Sequence, residues 1–523
     1  VGGTPRFSRV TISFLESLRM QTLKDLPYYR RIPGTNFIVD CFKFRPKEFR
    51  SKDSSRPIIY FLSHFHQDHY YGLSDTWSEG PIYCGKVTCA LVSLVLGVKT
   101  QFLRPLELGE TVDIENAEVT TLSASHCPGS VIFLFKVKDG KSVLHTGDFR
   151  FDRRLTKTEY AGLPALRIDE LFLDTTYAHP KYNFPDQEAT IESAVSKVRE
   201  HWSPSALIVV ATYLIGKEKI LLRIAKEFAC KIYVPDMRKY EILQCCLELT
   251  DDQMNTLFTH ERLESNVMVI GWHLIGEMAP GGWKFIPNYT TLRNLLDENG
   301  GRFDTVVGFV PTGWTIATKT SAFGCQQKDN LIIYEIPYSE HSNFQELRDF
   351  VGFVRPKRIV PTVVSSKLKT DAKVISRFSD LVDSQASKSD FLRTFFRGRP
   401  NTGSTVNPSP AKAASDLFDV EEQGQDDEDE DEDLGISPLK EKSIPAPTTT
   451  PALSDLPPVV QAEAGKNTGR LSTRPVIHSK GKGTEPLSPP LAPLLSSQSC
   501  ISNKVPIGIH VDVQSKEKAE EEA

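Results

Sequence analysis

No stretch of this 523-residue chain approaches the ~20 consecutive apolar residues that a membrane span requires. The segment Val10 to Leu23 is too short and too interrupted to serve as a signal peptide. The chain begins at Val1 rather than Met and is expected to be a fragment or a processed product. Cysteine is sparse: there are nine, an odd number, and no C-x-x-C pair. Cys245 and Cys246 are adjacent and cannot make an ordinary bridge to each other. That usage suits free thiols in a reducing compartment. Aromatic residues all but vanish after Pro400, since residues 400–523 hold only Phe418 among many Pro, Ser and Thr. Such a segment buries too little apolar area to offset its ordering entropy, and it reads as disordered.

Basic residues are also missing from one run. Asp416 to Asp433 carries twelve acids and no base. It reads as a solvated acidic spacer, with a docking motif for protein partners as the alternative. The tail from residue 400 has 11 Lys and Arg against 21 Asp and Glu, a net of −10. The remainder has 51 and 46, a net of +5. The acidity of the whole therefore belongs to the tail. The folded part is slightly basic and suits a phosphate backbone if its charges cluster. Within residues 30–370, short apolar strands alternate with helical stretches, as in an α/β layered domain. Ala206 to Val210 reads as a buried strand, and Lys217 to Phe228 as a helix with Ile220, Leu221, Ile224, Ala225 and Phe228 on one stripe.

What is present in concentrated form is metal-ligand chemistry. The run His64-Phe65-His66-Gln67-Asp68-His69 reads H-x-H-x-D-H and follows the apolar Ile58 to Leu62. Imidazole nitrogens and carboxylate oxygens suit zinc and similar divalent ions. His64 and His66 share a face if strand geometry continues through them, while Asp68 and His69 lie past the turn and can reach a second, adjacent ion. Three or four protein ligands are needed, so distant partners are expected. His126 precedes a sharp Pro128-Gly129 turn, and Asp148 ends the strand-like Ser142 to Asp148. A carboxylate has two oxygens, so Asp148 can bridge two ions. Cys127, beside His126, reads as structural, with a nucleophilic thiol as the weaker alternative.

Taken with Asp40, the order D, H-x-H-x-D-H, H, D resembles the metallo-β-lactamase fold. The phrases IPGTNFIVDCF, FLSHFHQDHYYGLS, HCPGSVIFLF, VLHTGDFR, LFLDTTY, TYLIGKEK, PTGW and IPYSEHS resemble the β-CASP nucleases of the SNM/Pso-type DNA cross-link repair family, the relatives of Artemis. The resemblance runs from about Ile32 to Val363 and is nearer to the cross-link repair exonucleases than to Artemis.

That resemblance implies a four-layer αββα metallo-β-lactamase fold with an inserted α/β β-CASP domain and a disordered tail. The expected boundaries are an N-terminal extension over 1–29, the first part of the metallo-β-lactamase domain over 30–176, and the β-CASP domain over 177–330. A return segment over 331–399, opening with Leu331 to Tyr334, and the tail over 400–523 complete the chain. One tight zinc site is expected from His64, His66, His126 and Asp148. A second, weaker divalent site is expected from Asp68, His69 and the bridging Asp148, with Asp40 as an anchor behind the ligands. Asp68 orients the attacking water. Asp174 and His341 occupy the family's motifs A and B, with His341 as general acid to the leaving 3′ oxygen or as a contact to the scissile phosphate. At motif C, Val363 stands where RNA-processing relatives carry histidine. Valine cannot ligate a metal, and it points to DNA.

The implied activity is metal-dependent 5′→3′ exonuclease action on single- or double-stranded DNA with a 5′ phosphate, in cross-link or end repair in the nucleus. A structure-selective DNA endonuclease of the Artemis kind, or an RNA endonuclease, is the alternative. Thr175, Tyr213, Lys217, Ser339 and Ser342 are candidate phosphate contacts. Lys217 and Lys219 read equally as a solvated helix start, and Trp314 either stacks on a base or is buried. Repair-protein partners are expected through the tail, and no membrane.

Overall fold

The computed structural model describes residues 26–43, 57–279, 284–313, 324–363 and 368–383. Most of the N-terminal extension, Trp314 and the tail lie outside the described residues.

Strand alternation builds the first half. Strands β1 (Phe37–Val39), β2 (Ile59–Leu62), β3 (Ile82–Gly85) and β4 (Leu103–Leu106) pair in parallel, in that order. Strands β5 (Thr111–Ile114), β6 (Ala117–Ser123), β7 (Val131–Val137) and β8 (Ser142–His145) run antiparallel, and β9 (Glu170–Leu173) joins β8 in parallel. Successive side chains of a strand point to opposite faces. Along β2, Ile59 and Phe61 enter a core shared with the second sheet, while Tyr60 and Leu62 enter another with Leu91 and Val92 of the helix Lys86–Leu96. Phe61 meets Phe133 and Phe135 of β7 at ring-centroid distances of 5.3 and 5.1 Å. Burying each such ring is worth roughly 1.5–3 kcal/mol. On the far face of β7, Ile132 and Leu134 pack with Phe350 and Val351 of the helix Phe344–Val354. The layers are helix, sheet, sheet, helix, which is the αββα arrangement.

The helix Phe344–Val354 starts where its caps dictate. Asn343 accepts from the Glu346 N–H, and the Glu346 carboxylate accepts from the Asn343 N–H. That reciprocal pair satisfies two backbone donors with no helical partner.

A third sheet follows from β10 (Ala206–Thr212), β11 (Ile232–Tyr233), β12 (Phe258–Thr259), β13 (Val267–Gly271), β16 (Thr305–Pro311), β17 (Gly324–Lys328) and β18 (Leu331–Ile336). Its order is β12-β11-β13-β10-β16-β18-β17, and all pairs but the last are parallel. A small hairpin of β14 (Gly276–Met278) and β15 (Phe285–Pro287) stands apart. β10 is buried along its length, as expected of a parallel strand covered on both faces. The expected helix is present as Glu218–Glu227.

One expectation is corrected here. Leu331 to Tyr334 does not return the chain to the first sheets. It lies in β18, which pairs with β16 along its whole length. Its side chains are buried on both faces, Leu331 and Ile333 on one and Ile332, Tyr334 and Ile336 on the other, so it completes the third sheet. The chain re-enters the second sheet only at β19 (Arg358–Pro361), parallel to β9.

Strands β1 and β2 in the first sheet are parallel, and in the second β6, β8, β9 and β19 share one direction. The segments carrying Asp40, His64, His126, Asp148, Asp174 and Val363 leave the C-terminal ends of these strands.

Candidate metal centre

Two glycines bring the strand ends together. Gly147 has φ +55, and a Cβ there would fall 2.6 Å from the Ser63 Cβ. Gly129 has φ +77, and a Cβ there would fall 2.8 Å from the Thr88 nitrogen. Only glycine fits such approaches in this backbone conformation. The loops bearing Asp148 and His126 thereby close on the segments after β2 and β3. Strand β2 ends at Leu62, so the condition for a shared strand face is not met: His64 and His66 lie past the strand, although the His66 backbone is still extended. His66 is the N-cap of a single turn, Gln67–Tyr70, which presents Asp68 and His69.

Three of the four imidazoles are held from behind, while His66 turns its Nδ1 toward His126. The His64 Nδ1 lies 2.9 Å from the Ser63 hydroxyl. The His126 Nδ1 donates to the Glu340 carbonyl at 2.8 Å. The His69 Nδ1 lies 2.8 Å from Oδ2 of Asp40, whose carboxylate also accepts from the Ser63 N–H and hydroxyl at 2.7 Å each. Asp40 itself has φ +52, a conformation aspartate tolerates. Fixing Nδ1 in this way leaves Nε2 as the free atom.

Those free atoms converge. His126 Nε2 is 3.0 Å from His66 Nδ1. Oδ2 of Asp148 lies 3.8 Å from His64 Nε2, 4.0 Å from His126 Nε2 and 3.3 Å from His69 Nε2. His69 Nε2 is also 3.4 Å from Asp68 Oδ2. Three donor groups have ligand atoms all within 4.8 Å of one another: His64, His66 and His126; His64, His69 and Asp148; and His126, Asp148 and His341. The His64 Nε2 is fully buried and has no hydrogen-bond partner among the described residues. A buried orphan of this kind costs about 1–3 kcal/mol, and a cation would satisfy it. The residues present therefore fit a metal.

Electrostatics agree. Burial, then the surrounding imidazoles, holds His64 and His126 well below the ordinary imidazole pKa, and burial lowers His66. All three are neutral imidazoles, the form that binds metal. His69 moves the other way. Burial opposes its charge, but Asp148, Asp68 and Asp40 outweigh burial and hold its pKa well above the ordinary value. Its proton supplies positive charge where a cation would.

Beside this cluster, His341 Nδ1 lies 2.8 Å from Asp174 Oδ2. Burial again opposes the charge, and the carboxylate outweighs it, raising the His341 pKa to about 9. Asp174 also accepts from the Thr176 N–H and hydroxyl and from the Phe149 N–H.

The candidate phosphate contacts are placed around these strand ends with their polar atoms engaged. Thr175 Oγ1 donates to the Val363 carbonyl at 3.1 Å. Ser339 Oγ accepts from the His341 N–H at 3.0 Å, and Ser342 Oγ accepts from the Phe151 N–H at 2.9 Å. Lys217 Nζ is 2.7 Å from Glu340, while Lys219 Nζ donates to Gln187. The Tyr213 ring stacks on Trp272 at 6.1 Å. Cys127 is buried and its thiol pKa is pushed well up by burial, which suits a structural thiol. Sequence reasoning assigned no role to Ser63, Arg150 or Glu340. Arg150 donates to the Ser339 carbonyl and pairs with Glu346, both almost two hundred residues away along the chain, and no local pattern signals such partners.

Neutral imidazoles and carboxylates gathered at the strand ends of an αββα sandwich place the chain among metallo-β-lactamase-fold proteins, whose members bind divalent metal. Residues 252–367 match the family described as DNA repair metallo-beta-lactamase. Over 406 residues the chain is 41% identical to DNA ligase 6 of Arabidopsis thaliana, covering 76% of this chain and 28% of that protein. It is 36% identical over 360 residues to DNA cross-link repair protein SNM1 of Arabidopsis thaliana, covering 68% and 69%. It is 32% identical over 333 residues to 5′ exonuclease Apollo of Gallus gallus, covering 64% and 63%. The chain spans less than a third of the length of the ligase it matches. It belongs to the SNM/Pso family of β-CASP metallo-β-lactamase-fold DNA repair nucleases.

Proposed function

We propose that this protein is a metal-dependent 5′→3′ exonuclease that hydrolyses DNA phosphodiester bonds from a 5′-phosphorylated end. Its place is cross-link or end repair in the nucleus. The observation that carries the reading is the inward-facing donor set, with the buried and unpartnered His64 Nε2 at its centre. The similarity to proteins named for cross-link repair and for 5′ exonuclease activity supplies the substrate and the polarity.

In this reading His64, His66, His126 and Asp148 would hold a first zinc ion, and Asp68, His69 and Asp148 would hold a second, weaker one. Bound divalent metal would lower the pKa of water toward ~7 and offset charge growing on the phosphate. The chain's own groups do the rest. Asp68, half-exposed beside the cluster, accepts from the attacking water and aligns it. Asp40 keeps the His69 Nδ1 occupied, so that Nε2 faces inward. His341, charged and held by Asp174, has its Nε2 available to protonate the departing 3′ oxygen. Val363 offers no donor to the metals, which fits DNA rather than RNA as substrate. Thr175, Ser339 and Ser342 lie buried beside the strand ends with their hydroxyls bonded internally, so as phosphate contacts they would have to exchange those bonds for a terminal phosphate. Tyr213, stacked on Trp272 and 5.7 Å from the Lys217 ammonium, is the aromatic candidate for a contact with the DNA end. The domain limits proposed are those expected from sequence, with the inserted domain extended through β18.

The test uses the full chain with single-stranded DNA labelled at its 3′ end. Substrates with 5′-phosphate and 5′-hydroxyl ends run in parallel, with and without chelator. A chelator-sensitive ladder that requires the 5′ phosphate is expected. Discrete internal cuts would replace this reading with a structure-selective endonuclease, and full activity in chelator would remove the metal mechanism.

A further inference from the structure

We propose that Lys217 is a positioning residue of the metal centre, acting through Glu340 on His126; the proposal rests on the metal reading above. Glu340 is buried and works in two directions. Its carboxylate accepts from the Lys217 backbone N–H at 2.9 Å and from Nζ at 2.7 Å. Its backbone carbonyl lies 2.8 Å from His126 Nδ1. A carbonyl can only accept, so Nδ1 carries the proton and Nε2 keeps its lone pair for a metal. The contacts run from the start of the helix Glu218–Glu227, which packs on the third sheet, to an imidazole at the ends of the first two.

The local chain is shaped for this contact. Gly216 has φ +100, and a Cβ there would fall 2.7 Å from Oε2 of Glu340. Lys217 follows with φ +72, a second left-handed residue, and this turn aims both its N–H and its ammonium at one carboxylate. Glu218 braces the turn by accepting from the Gly216 N–H at 2.8 Å. On the other side, Arg150 and Gln187 donate to the Ser339 carbonyl at 2.7 and 2.9 Å. Glu340 is therefore held by its side chain, by the peptide before it and, through the His341 N–H on Ser339 Oγ at 3.0 Å, by the peptide that carries its carbonyl. The Lys217 side chain is 8% exposed, and its Nζ lies 5.2 and 5.7 Å from the Tyr338 and Tyr213 rings. An ammonium enclosed by a carboxylate and two rings is engaged within the protein rather than held out to a phosphate. Removing it leaves Glu340 a buried charge without its partner, and the carboxylate can gain solvation only by moving. The carbonyl on the same residue moves with it.

Zinc affinity of the full chain, measured by competition with a chromophoric chelator, tests this alongside thermal melting of the metal-free protein. A wild-type chain that binds no zinc overturns the metal reading itself. With zinc bound by the wild type, Lys217→Met is expected to weaken zinc affinity 10–100-fold, the range typical of partners behind a ligand. Lys217→Arg, which keeps the cation, is expected to restore most of it. Glu340→Gln keeps the shape and an acceptor for the Lys217 N–H but loses the ion pair. It is expected to shift affinity the same way by a smaller factor, and it carries the test if Lys217→Met does not fold. Wild-type zinc affinity in either folded variant overturns the proposal, even if melting temperature falls. The same holds if Lys217→Met loses affinity only for 5′-phosphorylated DNA, which would make Lys217 a substrate ligand.

Discussion

Replacing Asp174 by asparagine tests the chemistry of the site with the least change of shape. The carboxylate receives four donors: the Thr176 N–H at 3.0 Å and hydroxyl at 2.6 Å on Oδ1, and the Phe149 N–H at 3.2 Å and His341 Nδ1 at 2.8 Å on Oδ2. An amide has one accepting oxygen. If that oxygen keeps the Thr176 pair, its NH₂ faces two donors, and His341 must turn or change tautomer. Two magnitudes follow. For the rate, loss of a positioned general acid costs about 10²–10⁴-fold in kcat. For stability, the His341 pKa is raised to about 9 in the folded chain. The unperturbed value is about 6.5, and the difference corresponds to about 3 kcal/mol. The sign is that of a raised imidazole: the contribution is complete below about pH 6.5 and is lost as pH rises through about 9. Metal-free Asp174→Asn should therefore be less stable than the parent by up to about 3 kcal/mol at pH 6, with the gap closing above pH 9. Urea unfolding of both proteins across this range reads the gap, and single-turnover cleavage of metal-loaded protein reads the rate. A variant that cleaves at the parental rate with a pH-independent stability gap would refute both the acid role and the charged pair.

Other outcomes follow from the same geometry. His64→Ala and Asp148→Asn should each abolish cleavage while leaving DNA binding largely intact, as read by filter binding beside the cleavage assay; loss of binding alone would make them DNA contacts. Gly147→Ala forces a Cβ against Ser63 at φ +55 and should lower stability by at least about 1–2 kcal/mol, with a matching loss of bound zinc. Phe350→Ala removes a fully buried ring between the second sheet and its helix and should cost about 3–5 kcal/mol by chemical denaturation without altering zinc stoichiometry. Deleting 416–433, with its twelve acids, should tighten DNA binding at low salt if that run competes for the basic surface; unchanged affinity rules the competition out.

The sequence by itself determined the donor chemistry. Ligand type and close spacing are local properties, so H-x-H-x-D-H announced a metal before any fold was known, and each remaining donor ended a recognisable apolar strand. The tail's lack of aromatics and its acidity are likewise properties of composition. The four-layer order was legible only through the family resemblance, because alternation shows that a strand such as β2 has two apolar faces but not which layers cover Ile59 on one and Tyr60 on the other. The tertiary structure alone decided which nitrogen of each imidazole faces inward. That choice depends on partners such as the Glu340 carbonyl, 214 residues from His126, and no spacing rule reaches so far. It also decided that β18 completes the third sheet, because a strand apolar on both faces fits either sheet until its hydrogen-bonding neighbour is known. The hydroxyls of Thr175, Ser339 and Ser342 and the ammonium of Lys217 looked alike in sequence. Only the folded chain showed what each one bonds, since a short polar side chain takes whichever backbone group or charge the packed strand ends bring within about 3 Å.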